Sequence, residues 1–475
     1  MFTNLKPHQV YVDSGNQWFG RIPVSWQTSR LRGVSRLFVS NVDKLTQEHE
    51  RPIRLCNYVD VYKNEFITDR PGYMTASASE DEIRRFRVRV DDVAITKDSE
   101  SWIDIGIPAY VAQEADDLVC GYHLGLLRTR KDILSGAYLF RALQVPGIAT
   151  QFHVAACGVT RYGLSQDDIL SVIIPIPGLD EQAAIVKYLK HANARIDRAI
   201  AAKRKLIALL EEQKQAIIKQ AVTRGLDPTV PLRDSGIPWL GQIPAHWATK
   251  RFGNVATARS IPGAASLGLL SVYLGRGVIH YSEGGKRVHA PSLDLSSYQE
   301  VRPGDFVMNN QQAWRGSVGV SSLYGIVSPA YHVYELVSGL RADFATHLLA
   351  SPQMVAQYVI ASKGVGDIQR QLHVAYLKLL TLPIPTLSEQ RAIAAHLDSQ
   401  ENISDSAISQ ARREIELLRE FKARLTADVV TGQVDILAAA ARLPELDLSD
   451  LLSDPGPDED DLDAELAAGL EEVDA

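Results

Sequence analysis

The sequence predicts an α+β fold in which two β-rich globular domains are separated by two long antiparallel coiled-coil helices, with an internal pseudo-twofold repeat. The first observation is a duplicated segment: residues 13–26 and 234–247 are identical at eight of fourteen positions. The second is a Pro-Ile-Pro-x-Leu-x-Glu-Gln motif that occurs at residues 175–182 and again at 383–390. The third is a long stretch of helical periodicity after each motif. Such self-similarity indicates two copies of one structural unit.

The first long helix is predicted from the residues after Asp180, which include no proline or glycine before Gly225. Asp180 is a candidate N-cap, and Gly225 is a helix stop. At about 1.5 Å per residue this run makes a rod of about 65 Å. Alternating steps of four and three residues give the apolar stripe of a coiled coil. The predicted packing residues are Ile185, Leu189, Ile196, Leu206, Leu210 and Ile217.

The second long helix follows the second motif and shows the same stepping. Its apolar stripe drifts towards Ile408 and Ile415. Neither helix can bury its stripe alone, so we expect the two to pack together, and an antiparallel pair would place the globular domains at opposite ends. The predicted packing residues of this helix are Ile393, Leu397, Leu418 and Leu425.

The domain boundaries follow from the repeat. Residues 1–177 form the first globular domain and 178–228 the first helix. Residues 229–385 form the second globular domain, 386–436 the second helix, and 437–475 an acidic tail.

The globular parts, about residues 20–172 and 245–380, contain short alternating segments with glycine and proline between them, which is typical of β-rich domains. Residues 84–90 and 325–336 are the clearest strand-like segments. Helical insertions are expected at 133–145 and 340–362. The pattern does not predict the order of the strands.

The charge of the chain is divided unevenly. The net charge of the 475 residues is −7, but residues 443–475 hold thirteen acidic residues and no lysine or arginine, so residues 1–442 carry +6. Such a segment cannot bury enough apolar surface to fold and is expected to be a solvated tail. It could serve solubility alone, or it could compete for a basic DNA-binding surface.

Three cysteines without a Cys-x-x-Cys pair suggest neither a disulfide framework nor a zinc site. The first residues lack the basic and apolar regions of a signal peptide, and no apolar stretch is long enough to span a membrane. We therefore expect a soluble, cytoplasmic protein.

Motifs of enzymes that act on nucleic acids are missing. The sequence contains no Gly-x4-Gly-Lys-Ser/Thr loop for ATP, no Gly-x-Gly-x-x-Gly opening a helix, and no Asn-Pro-Pro or Asp-Pro-Pro turn of adenine methyltransferases. His123 and His332 occupy equivalent places and are expected to be structural. Asp98 and Glu100 lack the Glu-x-Lys that would complete a nuclease metal site. We expect no catalytic residue, no metal site and no cofactor on this chain.

Residues suited to DNA binding are better represented. A polar loop containing a tryptophan follows the strand Asp92-Val-Ala-Ile and again the strand Asp305-Phe-Val-Met. Amides can bond adenine and basic side chains can bond guanine or phosphate, although ordinary capped turns and solvated faces would explain the same residues. The candidates are Arg84, Arg85, Arg87, Lys97, Ser99, Trp102, Arg128, Arg130, Lys131, Lys286, Arg287, Asn309, Asn310, Gln311, Gln312, Trp314, Arg315, Lys363 and Arg370.

The duplicated Ser-Gly-x-x-Trp-x-Gly-x-Ile-Pro-x-x-Trp and Pro-Ile-Pro-x-Leu-x-Glu-Gln motifs, with Ala-Val-Thr-Arg-Gly at residues 221–225, resemble those of the specificity subunits of Type I restriction-modification systems. The resemblance covers residues 10–436 and not the tail after Ile436. It implies two target-recognition domains that each read one half of a split double-stranded DNA site, with the helices setting the spacing. It implies two modification (methyltransferase) subunits that bring S-adenosylmethionine, and restriction (translocase and nuclease) subunits that use ATP and Mg²⁺.

Other functions remain open at this stage. The chain could be a coiled-coil adaptor that does not contact DNA, or the specificity subunit of a related phage-defence system without cleavage. A self-contained nuclease or methyltransferase is disfavoured by the missing motifs. The DNA sequences that each domain would bind, and the spacer between them, are not encoded in any pattern that we recognise.

Overall fold

The computed structural model describes residues 5–284, 291–292, 294–337, 339–365 and 369–446. The predicted DNA-binding residues Lys286 and Arg287, and the predicted tail from residue 447 onwards, lie outside these ranges. The chain forms two compact units. Among the described residues, unit 1 combines residues 5–202 with 413–446, and unit 2 consists of residues from 203–412. Each unit therefore contains one globular part, the beginning of the helix that follows it, and the end of the other long helix.

The globular part of unit 1 contains fourteen strands and six short helices among its described residues. The strands are β1 (Tyr11–Asn16), β2 (Gly20–Pro23), β3 (Gln27–Arg30), β4 (Ser35–Val39), β5 (Arg51–Cys56), β6 (Phe66–Ile67), β7 (Met74–Ala78), β8 (Val93–Thr96), β9 (Asp98–Ser99), β10 (Pro108–Val111), β11 (Leu118–Cys120), β12 (Leu124–Thr129), β13 (Tyr162–Gly163) and β14 (Ile173–Ile176). The helices are α1 (Leu31–Val34), α2 (Tyr58–Tyr62), α3 (Glu80–Phe86), α4 (Gly136–Leu143), α5 (Pro146–Ala155) and α6 (Gln166–Ser171).

The centre of unit 1 is a five-stranded sheet with the order β4-β12-β8-β10-β6, beside a three-stranded sheet with the order β11-β5-β7. Every residue of β8 is buried, which explains its apolar sequence Val-Ala-Ile-Thr. Strand β3 pairs with β14, and so brings the segment after the first repeated motif next to the start of the long helix.

The long helix α7 spans Leu179–Arg224 and contributes to both units. Unit 2 continues with β15 (Leu232–Asp234), β16 (Gln242–Pro244), β17 (Ala248–Arg251), β18 (Ala256–Arg259), β19 (Leu270–Tyr273), β20 (Gly277–His280), β21 (Gln299–Val301), β22 (Phe306–Asn309), β23 (Val318–Val320), β24 (Gly325–Val327), β25 (Tyr331–Leu336), α8 (Ala342–Ala350), α9 (Pro352–Ile360), β26 (Ser362–Val365), β27 (Gln369–Leu372), α10 (Val374–Leu377) and β28 (Thr381–Ile384). Three short 3₁₀ turns also occur, at Phe252–Asn254, Tyr281–Glu283 and Ala313–Arg315. The second long helix, α11, spans Leu387–Val430, and α12 spans Leu437–Ala440.

The centre of unit 2 is a four-stranded sheet with the order β18-β25-β22-β23. The pairing of β17 with β28 matches that of β3 with β14, and the pairing of β15 with β16 matches that of β1 with β2. Residues from the end of α7 and the start of α11, including Val222 and Leu397, belong to the same apolar core as Phe306 and Phe344. The duplicated sequence thus folds as a duplicated structure.

The two long helices confirm the predicted α+β fold. Within unit 1, Lys422 of α11 pairs with Asp197 of α7, and within unit 2, Lys214 of α7 pairs with Asp405 of α11. Helix α7 begins at Leu179, one residue before the predicted N-cap Asp180, and ends at Arg224 as predicted.

Among the predicted packing residues, those that are buried are Ile185, Leu189, Ile196, Ile393, Leu397 and Leu425, whereas Leu206 in the middle of α7 is not. Leu206 is 42% exposed, whereas its neighbour Ile207 is 3% exposed. An α-helix turns once in about 3.6 residues rather than 3.5, so the stripe shifts by a residue along a long helix. The predicted drift in α11 is confirmed, because Ile408 and Ile415 are both buried.

Residues 84–90 are not the predicted strand, because residues 80–86 form helix α3. Ser79 and Glu82 form a capping box in which each side chain bonds the backbone of the other, and this box starts a helix. Strand β14 passes through Pro175 and ends at Ile176, just before the long helix α7 begins. The helices expected at 133–145 and 340–362 are present as α4, α8 and α9.

Candidate nucleic-acid interface

Each globular part is fixed to its long helix by the second tryptophan of the repeated opening segment. In unit 1 the Trp26 indole N–H donates to Glu181 at 2.9 Å, and in unit 2 the Trp247 indole N–H donates to Glu389 at 3.0 Å. Burial alone would raise the pKa of Glu389, but hydrogen bonds from Trp247, Thr386 and His246 outweigh it and lower the pKa to about 2. The repeated glutamates therefore have structural roles.

The glutamine after each glutamate holds the start of the helix from the other side. The amide nitrogen of Gln182 donates to the carbonyls of Ile133 and Pro177, and its oxygen accepts from the backbone N–H of Ser135. Gln390 makes the same three bonds in unit 2, to the carbonyls of Gly339 and Pro385 and from the N–H of Arg341. Both side chains are completely buried, which explains why the Glu-Gln pair recurs.

A glycine in the left-handed region ends each long helix against the tryptophan. Gly432 has φ +70°, and a Cβ there would lie 2.4 Å from the Pro23 ring and 3.1 Å from Trp26. Gly225 has φ +75°, and a Cβ would lie 3.2 Å from Trp247. Both positions favour glycine because of the backbone conformation and because of the close approach.

The polar loop after β8 in unit 1 is a network of charged side chains. Lys97 Nζ lies 2.5 Å from Asp98, whose other contact is the His123 ring at 3.0 Å. The Arg161 guanidinium lies 3.0 Å from the second ring nitrogen of His123. Burial would raise the pKa of Asp98, but the contacts with His123 and Lys97 lower it, so this carboxylate stays ionised. The cations of Lys97 and Arg161 thus lie close to the ionised carboxylate of Asp98.

Aromatic residues border the same loop. Trp102 is 52% exposed and meets His153 edge-on, so it does not pack below the loop as an ordinary turn tryptophan would. The buried hydroxyl of Ser99 lies 3.3 Å from the Tyr58 hydroxyl. An open cleft of about 590 Å³ lies beside Lys97 and Tyr122, lined otherwise by residues of the segment 39–45.

The equivalent loop in unit 2 is built from amides. The Asn309 side chain accepts hydrogen bonds from the N–H groups of Gln311 and Gln312, and so caps the turn. The side-chain oxygen of Asn310 lies 3.2 Å from the Nε2 atom of His332. Burial lowers the pKa of His332. Asn309 and Asn310 therefore shape the loop, while Gln311 is exposed at its surface.

Trp314 forms a stack with two arginines at the end of this loop. The guanidinium groups of Arg315 and Arg370 lie 4.9 and 5.3 Å from the Trp314 ring. The indole N–H donates to the backbone carbonyl of Gln311 at 2.8 Å, which fixes the ring. Stacked guanidinium groups keep their charge and their donors, so this edge suits phosphate or base contacts.

Several predicted basic residues bind acidic partners within unit 1. Arg128 makes two bonds to the buried carboxylate of Asp92 and covers the ring of Phe38, so its role is structural. The remaining pairs are Arg84 with Asp81, Arg87 with Asp116 and Arg130 with Asp132, while Arg85 lies over Phe86. Lys131 and Lys363 are exposed. The basic alternation of residues 84–90 is therefore not a free basic strand face.

The sequence interpretation missed Arg161 and treated His123 only as a structural residue. His123 and His332 occupy equivalent places, and each contacts a polar residue of the loop in its own unit. The pairs Tyr122-His123 and Tyr331-His332 were the available signal, because their alignment in the repeat places them beside the loops.

A second cluster in unit 2 braces helix α8 against α11. The two ring nitrogens of His347 face Asp398 at 2.9 Å and Glu401 at 3.8 Å. One imidazole and two carboxylates within 4.8 Å of each other are also a possible metal-ligand set. However, each ring nitrogen faces a different carboxylate, and the Lys214 ammonium lies 3.8 Å from Glu401, so we interpret the cluster as ion pairing.

A fold of two duplicated β-rich units, each fixed to two long helices and each presenting a different polar loop, defines a two-domain binding protein. Residues 23–212 match the family model of the type I restriction modification DNA specificity domain. The chain is therefore similar to type I restriction enzyme specificity subunits.

Two relatives come from Methanocaldococcus jannaschii. The putative type I restriction enzyme MjaX specificity subunit is 23% identical over 429 residues, covering 88% of this chain and 95% of that protein. The type I restriction enzyme MjaVIII specificity subunit is 23% identical over 330 residues, covering 65% of this chain and 73% of that protein. A chain from a structural study of the assembly and conformational transition of the type I restriction-modification system has the same fold, with a TM-score of 0.62 and 15% identity over 86% of this chain and 98% of that one.

Among the described residues, no helix has the length and apolar content needed to cross a membrane.

Proposed function

We propose that this chain is the sequence-specific DNA-recognition subunit of a type I restriction-modification complex, and that each globular part reads one half of a split, asymmetric site in double-stranded DNA. The observation that supports this most directly is the pair of equivalent loops after β8 and β22, which lie at the same place in the repeat and differ in chemistry. Two identical loops would favour a palindromic site, whereas two different loops favour an asymmetric one.

The chemistry of the loops suggests what each would contact. Lys97 and Arg161 in unit 1 are suited to phosphates or to the acceptor edge of guanine, and the exposed Trp102 offers an apolar contact. In unit 2 the amides of Gln311 and Gln312 match the donor and acceptor pattern of adenine. The Arg315 and Arg370 stack on Trp314 supplies positive charge for the backbone.

The long helices would set the distance between the half-sites and bind partner subunits. We propose that two modification subunits dock on them, bring S-adenosylmethionine and methylate adenine. We also propose that restriction subunits supply the translocation and cleavage that use ATP and Mg²⁺, and that the complex works in the cytoplasm. Apolar residues on the outer faces of the helices support docking, because Leu209 and Leu417 occupy equivalent positions and are 52% and 56% exposed. Charged candidates for docking on the flanks of the helices are Lys187, Arg195, Lys203, Arg204, Glu211, Arg412, Arg413 and Glu416.

Co-expression with a modification subunit, followed by genome-wide mapping of methyladenine, tests this proposal. We expect a split motif in the presence of the wild-type chain. The double variant Gln311→Ala and Gln312→Ala should relax one half of the motif, at a cost of about 1–3 kcal/mol per lost base contact, and leave the other half unchanged. The matched control is Gln410→Ala, on α11 and away from the loops. A stable complex that leaves the DNA unmethylated would instead favour the adaptor function.

The helix length offers a second test. Insertion of one turn of four residues after Leu210 would lengthen α7 by about 6 Å, compared with about 3.4 Å per base pair of DNA. We expect the spacer between the two half-sites to change while the half-sites themselves stay the same. An unchanged spacer in the methylation map would contradict the role of the helices in setting the distance.

A further inference from the structure

One face of α7 in unit 1 is basic. Lys187, His191, Arg195 and Arg198 follow one another at steps of four, four and three residues, so their side chains share one side of the helix. Lys190 lies beside them. Arg195 and Arg198 are exposed. We call these five residues the basic strip. The nearby acid Asp197 is bound to Lys422.

The chain segment after α12 lies against the first turn of this strip. The Lys187 ammonium lies 2.6 Å from the Glu445 carboxylate, and Lys190 donates to the backbone carbonyl of Leu446. The His191 ring lies 2.7 Å from the backbone carbonyl of Pro444. The contact with Lys187 lowers the pKa of Glu445. Three consecutive residues, 444–446, are thus held by three residues of the strip just where the acidic tail begins.

We propose that the acidic tail, residues 443–475, is the resident ligand of the basic strip. The last described residue of this tail, Leu446, is held at Lys190. Arg195 and Arg198 lie about 8 and 12 Å beyond Lys190 along the helix axis at ~1.5 Å per residue. Four residues beyond Leu446 can span about 13 Å at ~3.3 Å per extended residue, so the tail is long enough to reach both arginines.

The charges are complementary as well. Residues 443–475 hold thirteen carboxylates and no basic residue, whereas the strip holds no acidic residue. Because the tail is tethered at residue 444, its local concentration at the strip is on the order of millimolar. The strip is therefore a polyanion-binding surface that its own chain occupies, and a DNA backbone has to displace the tail to reach it. This inference does not depend on sequence-specific recognition by the two loops.

Zero-length carbodiimide cross-linking of the full-length chain, read by mass spectrometry, tests the contact. We expect Lys187 and Lys190 to be linked to Asp447, Asp450 or Asp454 far more often than Lys205 and Lys219, which are exposed on the same helix. Equal cross-linking of the tail to all four lysines, or none to Lys187 and Lys190, would overturn the proposal.

Binding of a non-specific DNA duplex at low salt tests the competition. A chain ending at Leu446 should bind about tenfold more tightly than the full chain. In a background with Arg195→Gln and Arg198→Gln, the same truncation should have little effect. If truncation strengthens DNA binding equally in both backgrounds, the tail acts only through its net charge. If truncation has no effect on DNA binding in either background, the strip is not a binding site for the tail. Both results would overturn the proposal, and neither depends on whether the loops recognise a sequence.

Discussion

In each unit a lysine of one long helix pairs with an aspartate of the other, and the two pairs occupy equivalent positions in the repeat. The residues of the globular part that are linked to this pair differ between the two units. In unit 1, Lys422 pairs with Asp197 and with Glu65, and Glu65 pairs with the buried guanidinium of Arg141 at 3.2 Å. Lys214 and Asp405 are the equivalents in unit 2.

In unit 2, Lys214 pairs with Asp405 and lies 3.8 Å from Glu401, which in turn faces His347. The duplicated helices have kept the Lys–Asp pair that joins them, whereas the residues on the globular side have diverged. The frame of the molecule is therefore maintained by the helices, and each globular part has its own means of attachment.

The largest effect is expected from breaking the attachment of unit 1. Arg141→Met should lower the free energy of unfolding by about 3 kcal/mol, because it removes a cation from a buried ion pair and leaves Glu65 with Lys422 alone. Burial raises the pKa of Glu65, whereas Arg141 and Lys422 lower it, so the loss of Arg141 moves this pKa upwards and leaves Lys422 as the cation that still stabilises the carboxylate. Urea denaturation measures the change.

The matched variant in unit 2 is His347→Gln. Its expected cost is about 1 kcal/mol, because an amide can still donate to one carboxylate and Lys214 remains. Equal losses for the two variants would contradict the difference between the two attachments.

A smaller difference is expected at the glycines that end the long helices. Gly432→Ala should cost about 2–3 kcal/mol, because the positive φ disfavours alanine and the new Cβ meets the rigid ring of Pro23. Gly225→Ala should cost about 1 kcal/mol, because the Trp247 ring lies farther away and can shift. Thermal unfolding of the two variants compares them directly, and a larger loss for Gly225→Ala would contradict the tighter contact at Gly432.

The smallest effect is expected at the start of α11 and depends on pH. The pKa of Glu389 is about 2 in the folded chain and near its ordinary value of 4.5 when unfolded. Its contribution to stability is therefore present above about pH 4.5 and is lost as the pH falls towards 2. Glu389→Gln should reduce stability by about 1 kcal/mol at neutral pH and flatten the loss between pH 4.5 and 2.

Thr386→Ala is the control for this prediction. It removes one hydrogen bond to Glu389 and half of the capping box, so it should have a partial effect on both the neutral stability and the acid slope. An unchanged acid slope in Glu389→Gln would argue that other carboxylates control this pH range.

Local patterns predicted the helices well and the charge contacts poorly. Proline, glycine and apolar periodicity are properties of neighbouring residues, so the end of α7 at Arg224 followed from the sequence. The prediction that Leu206 is a packing residue was wrong because the apolar stripe shifts along a long helix. The prediction of a strand at residues 84–90 was wrong because the capping box at Ser79 starts a helix in spite of the alternating basic and apolar sequence. These errors concern register and local competition rather than fold.

The role of Arg128 depends on Asp92, which is 36 residues away, and the role of Arg161 depends on His123, which is 38 residues away. Contacts over such separations leave no periodic trace in one sequence. The Glu-Gln pairs, in contrast, could be found from the sequence because they recur in the repeat. Their hydrogen bonds in the structure explain why they recur. The DNA-binding residues remain predictions, and so do the bounds of the five predicted segments.

The most direct test of the central claim is to exchange residues 20–172 for the equivalent segment of another specificity subunit and to map methyladenine with the same modification subunit. The proposed function predicts that one half of the split motif changes and that the other half, with its spacer, stays the same. A motif that changes in both halves, or in neither, would contradict the claim that each unit reads its own half-site.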